Sequence, residues 1–123
     1  MEFDALSNRV IGCALEVHRD LGPGLLESTC KQCLAHELSL AGLQFQMERP
    51  LPVSYKGVLI ECGYRLDILV ENSLILELKS IERLLPIHDA QLLTYMKLAG
   101  VRTGLLMNFN VQYLRDGLKR MVL

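Results

Sequence analysis

The sequence predicts an α/β fold in which helices pack against a mixed sheet. Residues 4–41 repeat their apolar side chains every three or four positions, as helices do. From Leu43 to Lys79 the period changes to two, which is typical of strands. A third helical stretch then separates this strand region from a short apolar run, Thr103 to Met107. The resulting order, ααβββ(β)αβ, favours a mixed sheet over a regular βαβ repeat.

Two helices are predicted at the start of the chain. From Asp4 to Asp20 one face is apolar and consists of Leu6, Val10, Cys13, Ala14, Val17 and Leu21. Gly22-Pro23-Gly24 ends this helix, because glycine and proline interrupt helical structure. The second helix is predicted from about Leu25 to Ala41, with Gly42 as its C-terminal stop.

The strand region begins with apolar residues at Leu43, Phe45 and Met47. Pro50 and Pro52 indicate an edge or a bend, because proline cannot donate a hydrogen bond to a neighbouring strand. Two hairpins follow. Their strands are Val53 to Tyr55 with Val58 to Ile60, and Gly63 to Val70 with Leu74 to Lys79.

Pro86 suits the first turn of a helix, which is predicted to run to about Ala99 and to end at Gly100. The remaining elements are a strand at Thr103 to Met107, a loop at Asn108-Phe109-Asn110, one helical turn at Tyr113 to Asp116 and a last strand at Leu118 to Val122.

Composition limits the possible classes of protein. The 123 residues are 50% hydrophobic and 22% charged, which predicts one domain, 1–123, with a single core. The net charge of −1 argues against a strong nonspecific nucleic-acid binder, whose affinity needs many Lys and Arg contacts to phosphate. Four cysteines are too few for a disulfide scaffold, so we expect them reduced. The start, Met1 to Asp4, is acidic and lacks the basic and apolar regions of a signal peptide, and no apolar run is long enough to span a membrane. We therefore expect a cytoplasmic protein.

Charged residues interrupt the second hairpin where the pattern asks for apolar ones. Its three-residue loop places Asp67 opposite Glu77, with Cβ atoms about 4.5–5.5 Å apart. Glu77 and Lys79 share a face of their strand, whereas Leu76 and Leu78 take the opposite face, toward the core. One face therefore carries two carboxylates and an ammonium.

Two adjacent carboxylates repel each other, so either one is protonated or a cation lies between them. Oxygen ligands of this kind suit Mg²⁺ or Mn²⁺. Such an ion polarises a phosphate and acidifies a water, and a lysine beside it orients that water or offsets negative charge. The pattern predicts a site for phosphodiester hydrolysis. The alternative is a surface hairpin with a Glu–Lys pair, because short motifs recur by chance.

Residues outside the hairpin would extend this site. Glu27 lies on the apolar stripe of the second helix and would supply a third metal ligand. Its alternative is a solvated glutamate stabilised by the helix dipole. Gln91 and Tyr95 lie four apart on one helical face and would donate hydrogen bonds to phosphate or base. Their alternative is a core tyrosine with a glutamine at the rim.

Together these residues resemble the PD-(D/E)XK nuclease superfamily, in particular its RecB-like branch. The matching motifs, in order, are Gly24-Leu25-Leu26-Glu27, Gly63-Tyr64-Arg65-Leu66-Asp67, Glu77-Leu78-Lys79 and Gln91-Leu92-Leu93-Thr94-Tyr95. From about Leu21 to Val122 the chain is still more similar to the GxxExxY proteins. The blocks that carry this similarity are Leu21 to Glu27, Leu51 to Gly57, Glu77 to Tyr95, Asn108-Phe109 and Asp116 to Arg120.

The resemblance implies a restriction-endonuclease-like αβββαβ core with an extra N-terminal helix and an active site on the central hairpin. It implies a metal site formed by Glu27, Asp67 and Glu77, with the Leu78 carbonyl as a further ligand. Lys79 would be the catalytic lysine.

The resemblance also implies that Gln91 and Tyr95 position the substrate or support the site. Arg65 lies two residues before Asp67 and on its face, so it would contact a phosphate or pair with Glu77 or Glu61. One residue departs from the family pattern. Cys30 stands where the family name requires tyrosine, and it cannot make the hydrogen bond of a phenol.

The expected function is that of a metal-dependent nuclease, with Mg²⁺ or Mn²⁺ as its cofactor and nucleic acid, expected to be DNA, as its substrate. The alternative is a module that keeps the nuclease fold and acts through binding or regulation with little or no cleavage. A chain of 123 residues holds the core and little else. We therefore expect a homodimer or a partner protein to supply the substrate-selecting surface.

Overall fold

The computed structural model describes residues 4–123. The predicted absence of a leader depends partly on Met1 to Phe3, which lie outside the described residues. The elements are α1 (Ala5–Leu21), α2 (Glu27–Leu40), β1 (Phe45–Pro50), β2 (Val53–Tyr55), β3 (Val58–Ile60), β4 (Arg65–Val70), β5 (Leu74–Lys79), α3 (Pro86–Ala99), β6 (Thr103–Asn108), a 3₁₀ turn (Leu114–Gly117) and β7 (Leu118–Val122). The predicted α/β class and the restriction-endonuclease-like architecture are confirmed.

Five strands form one central mixed sheet in the order β1-β4-β5-β6-β7. Its neighbouring strands run antiparallel except β5 and β6, which are parallel and joined by α3. A parallel pair needs such a crossover connection. β1 lies at the edge, where Pro50 is tolerated, as the sequence predicted. β2 and β3 pair as the predicted hairpin but form a separate two-stranded sheet.

Helices cover both faces of the central sheet. α1 and α2 pack against one face, which includes Ile68, Leu76 and Leu78. α3 packs against the other face, which includes Leu69 and Ile75. The predicted core position of Leu76 and Leu78 is confirmed, since neither side chain is exposed. The face covered by α3, which also carries Glu77, is therefore apolar next to the β4–β5 turn.

The first two helices start differently. At α1, the Asp4 side chain accepts a hydrogen bond from the Ser7 backbone N–H at 3.2 Å, which caps the helix. α2 begins at Glu27 rather than at the predicted Leu25, because Leu26 is extended and offers no side-chain cap. Glu27 is therefore in the first turn of α2, where the helix dipole favours a carboxylate.

The C-terminal elements follow the sequence pattern closely. Pro86 opens α3, and Gly100 ends it in the left-handed conformation with φ of 70°. Gly117 allows the 3₁₀ turn to approach the end of β6, because a Cβ there would lie 2.2 Å from the Asn108 carbonyl oxygen. Among the helices of residues 4–123, none is long and apolar enough to cross a membrane.

Candidate active site

The candidate site lies at the open end of the β4–β5 hairpin. Backbone pairing continues from the turn as far as Ile68 and Leu76, and the next pair in this register is Asp67 with Glu77. There side chains replace the backbone partners. The Asp67 N–H donates to Glu77 Oε1 at 3.3 Å, and the Leu78 N–H donates to Asp67 Oδ2 at 2.9 Å. The structure thus brings the two carboxyl groups together where the hairpin pattern places them.

Glu77 is buried in an unfavourable environment for a negative charge. Glu77 is only 5% exposed. Burial raises the pKa of Glu77 to about 8, with a further increase from the Asp67 charge, although the Asp67 N–H and the Lys79 ammonium act in the opposite direction. Burial and the Asp67 charge therefore favour the protonated form of Glu77 more than in an exposed glutamate. A bound cation would reverse this, because it favours the ionised carboxylate.

Glu27, on α2, interacts electrostatically with the charged groups of the hairpin. It is half-buried, and desolvation followed by the Asp67 charge raises its pKa. The lysines at positions 31 and 79 lower that pKa, so Glu27 responds to the charges around the hairpin. Glu27 is thus partly shielded from solvent, and it also lies in the first turn of α2, where the alternative interpretation placed it. Cys30, one turn further along, is 1% exposed and packs in the core with α1.

Lys79 is held from the side of α3. Its Nζ donates to Gln91 Oε1 at 3.5 Å, and Gln91 Nε2 donates to the Tyr95 hydroxyl at 3.0 Å. Tyr95 is buried, and desolvation raises the pKa of its hydroxyl. Tyr95 therefore packs in the core, as one sequence alternative held, and its hydroxyl also supports the amide that contacts Lys79.

Arg65 lies on the exposed start of β4. Its guanidinium donates to the backbone carbonyl of Glu48 at 3.2 Å. Among residues 4–123, Arg65 forms no ion pair with Glu61 or Glu77, the alternative that the sequence left open. Arg65 is exposed to solvent.

Sequence reasoning missed Lys31, whose ammonium occupies the centre of the site. It forms ion pairs with Asp67 Oδ1 at 3.2 Å and with Glu48, and its side chain is only 12% exposed. Desolvation alone would lower the pKa of Lys31, but the hydrogen bond to Glu48 and the Asp67 charge raise it. Lys31 lies four residues after Glu27 on the same helical face, a spacing that could have revealed it.

A buried asparagine that the sequence left without a role fixes the end of β5. Asn108 is 1% exposed and bonds both the N–H and the carbonyl of Ile81, at 3.1 and 3.0 Å. The Phe109 N–H donates to the Lys79 carbonyl at 2.9 Å. Asn110 Oδ1 accepts the Gly24 N–H at 3.0 Å. This network ties the segment after Lys79 to the loop that leads into Glu27.

The donors suit a divalent cation, with one obstacle. Among residues 4–123, no group of three or more His, Cys, Asp or Glu side chains is arranged to hold a metal ion. In the structure Lys31 contacts one Asp67 carboxylate oxygen and the Leu78 N–H contacts the other. The chemistry still fits, since carboxylate oxygens are the ligands that Mg²⁺ and Mn²⁺ prefer, and burial of Glu77 disfavours its charge more than Lys79 compensates for it. A metal at Asp67 Oδ1 would compete with the Lys31 ammonium.

Comparison with known proteins gives one match. A model of the PD-(D/E)XK nuclease superfamily matches residues 4–121. No curated protein and no solved structure matches the chain. The matched range contains the whole β4–β5 hairpin together with Glu27, Gln91 and Tyr95.

Proposed function

The chain belongs to the PD-(D/E)XK nuclease superfamily, and from this premise we propose that it is a nuclease that uses Mg²⁺ or Mn²⁺ to hydrolyse phosphodiester bonds in DNA. Nucleases of this superfamily generally use divalent metals. The observation that carries the proposal is the contact of half-buried Asp67 with buried Glu77, together with the ammonium of Lys79 two residues beyond Glu77 on β5. Burying charged groups at this position has a cost in free energy that a purely structural role would not repay.

Asp67 and Glu77 would hold the cation, with Glu27 and the Leu78 carbonyl as further ligands. When bound, the cation would supply positive charge that polarises a phosphate and makes a water more acidic. The carboxyl proton of Glu77 would leave on binding, because its raised pKa originates from burial and from the Asp67 charge. The Lys31 ammonium would release Asp67 at the same moment and would stay close enough to contact the incoming phosphate.

Lys79 would be the catalytic lysine of the proposed reaction. Its ammonium would orient the attacking water or offset the charge that develops on the phosphate. Gln91 holds this ammonium at 3.5 Å and is itself held by Tyr95, so both would act as positioning residues. Arg65, exposed at the start of β4, would bind a neighbouring phosphate.

Cleavage assays test the role of Lys79. Plasmid and single-stranded DNA incubated with Mn²⁺ should be cut by the natural chain and left intact by Lys79→Ala. Lys97→Ala is the matched control, because Lys97 is an exposed lysine of α3. It should cut at the natural rate. Cleavage that survives Lys79→Ala would contradict the assigned role.

Calorimetric titration tests the metal site without relying on cleavage. Mg²⁺ or Mn²⁺ should bind to the natural chain, and Asp67→Ala should remove that binding. Absence of binding at millimolar metal would contradict the enzyme. The titration therefore separates a missing metal site from an untested substrate.

A second function, a binding or regulatory module with little cleavage, is favoured by one observation. Lys31 pairs with Asp67, so the fold needs no metal to satisfy that carboxylate. Nucleic-acid binding without cleavage in Mg²⁺ and in Mn²⁺ would support this function over the first.

We further propose that residues 1–123 act as one domain of the GxxExxY type within the RecB-like branch, and that this domain forms a homodimer or binds a partner protein. The apolar side chains of the β2–β3 hairpin support an interface. Tyr55, Val58 and Leu59 are each more than half exposed. Light scattering after size-exclusion chromatography would test the dimer.

A further inference from the structure

A cavity of about 410 Å³ adjoins Lys79 on the α3 side of the site. Gln91 forms part of its wall and also accepts the hydrogen bond from Lys79. The cavity therefore shares Gln91 with the proposed catalytic centre. The side chains that define its chemistry are Tyr64, Ile87, Gln91, Thr94, Tyr95 and Leu98.

The two tyrosines form an aromatic wall. Their ring centroids lie 5.9 Å apart at an interplanar angle of 47°. Tyr95 is buried and its hydroxyl is fixed by Gln91, whereas Tyr64 is 47% exposed. A flat aromatic ligand therefore finds one fixed ring and one ring with accessible surface. Rings in such a position contribute stacking that tolerates any base sequence.

The other side chains of the cavity wall favour an uncharged ligand. Ile87 and Leu98 are apolar, whereas Gln91 and Thr94 offer an amide and a hydroxyl. None of the cavity-lining side chains is charged. A phosphate would therefore stay outside, near Lys79, because a charge without a partner is costly to bury. A neutral ring with apolar faces and a polar edge matches this lining.

The position of Tyr64 along the chain fits a single nucleotide. Tyr64 lies immediately before β4 and precedes Asp67 by three residues, which in extended chain spans about 10 Å. That separation is comparable to the reach from a phosphate through its sugar to the base. A phosphodiester at Asp67 and a base beside Tyr64 would thus belong to the same or to adjacent nucleotides.

We propose that this cavity is a subsite for an unpaired nucleobase, so that the chain acts on single-stranded nucleic acid or on unpaired ends. The inference rests on the proposed nuclease function and deepens it by naming the substrate class. A base in a duplex is paired on its edge and stacked on both faces, and must be unstacked before it enters a pocket. A single strand presents its bases without that penalty.

Fluorescence anisotropy tests the subsite. The probes are a labelled single-stranded oligodeoxynucleotide and the duplex of the same sequence, both in EDTA so that no metal-dependent cleavage shortens them. The single strand should bind about ten-fold more tightly than the duplex, a factor within the range that one stacked base contributes. Tyr64→Ala should remove most of this difference, and Tyr64→Phe should keep it, because phenylalanine still stacks.

Tyr113→Ala is the matched control. Tyr113 is also a half-exposed tyrosine, at 55%, but it lines a different cavity. It should leave the ratio of single-strand to duplex affinity unchanged. Equal binding of both probes, or equal effects of Tyr64→Ala and Tyr113→Ala, would overturn the base subsite and leave the proposed nuclease standing. Binding of neither probe would also overturn the base subsite, whereas the nuclease proposal is tested separately by cleavage with Mn²⁺. A thermal melt of each variant confirms that it is folded.

Discussion

The two halves of the β4–β5 hairpin have the same backbone course and opposite chemistry. In the half next to the turn, Ile68, Leu69 and Val70 pair with Leu76, Ile75 and Leu74, and all six side chains are buried. In the open half, Asp67 and Glu77 face each other and backbone N–H groups bond to carboxylate oxygens. The regular ladder stops where the charges begin.

This difference shows how the hairpin separates stability from function. The turn half contributes apolar burial to both cores, one under α1 and α2 and the other under α3. The open half reduces stability instead, because the fold raises the pKa of Glu77 and so disfavours its charged form. Because the open half places charged groups where their ionised forms are unfavourable, the buried and regularly paired turn half must hold the two strands together.

Leu76→Ala should have the largest effect, because it removes a fully buried side chain from the turn half. We expect a loss of about 2–5 kcal/mol in the free energy of unfolding, measured by urea denaturation. Leu59→Ala is the control, since Leu59 is 66% exposed, and it should change stability by about 0.5 kcal/mol or less. Similar losses from both substitutions would contradict the assigned core.

Glu77→Gln should change how stability depends on pH in EDTA. The folded-state pKa of Glu77 is raised, so its stabilising effect is complete below the unfolded pKa of about 4.5 and is lost as pH rises toward about 8. We expect the natural chain to lose stability over this range, and Glu77→Gln to lose less. Urea denaturation at pH 5 and pH 8.5 measures the difference. Glu16→Gln, an exposed control, should follow the natural chain.

Lys31→Met should tighten metal binding, because Lys31 competes with the cation for Asp67 Oδ1. We expect affinity for Mn²⁺ to rise about ten-fold, equivalent to about 1.4 kcal/mol, in calorimetric titration. Lys119→Met is the control, since Lys119 pairs with Asp89 away from the hairpin. Unchanged or weaker binding by Lys31→Met would show that Lys31 positions Asp67 rather than competing with the metal.

Local pattern was enough to predict the hairpin. Alternation of apolar residues and a three-residue loop determine the register, so Asp67 could be placed opposite Glu77 from the sequence alone. Lys31 could not be placed in this way, because its contact depends on how α2 docks across the sheet. Another contact of this kind lies just before α2, where the Leu25 carbonyl accepts a hydrogen bond from the Ser80 hydroxyl. The role of Asn108 likewise arises from contacts between segments distant in sequence.

Tyr95→Phe tests whether the support of Lys79 can be weakened without damage to the core. The substitution keeps the ring and removes the oxygen that accepts the Gln91 amide. We expect a loss of about 1 kcal/mol in unfolding free energy and a lower kcat with little change in KM. Tyr113→Phe, at an exposed tyrosine, should change neither. An unaltered kcat in Tyr95→Phe would show that the Gln91–Tyr95 bond does not position Lys79.

Asn72→Gly should have the smallest effect and tests whether the two halves are independent. Glu71 and Asn72 form the turn with φ of 51° and 54°, in the left-handed region that glycine adopts without penalty. Asparagine tolerates this region better than most residues, so we expect a gain of only about 0.5 kcal/mol in unfolding free energy.

Ser73→Gly is the matched control, because Ser73 has no positive φ and glycine there only adds freedom to the unfolded chain. It should not stabilise the protein. Neither substitution should alter Mn²⁺ affinity, because three apolar pairs separate the turn from Asp67. A change in Mn²⁺ affinity would mean that the turn half transmits strain to the carboxylates and that the two halves act as one unit.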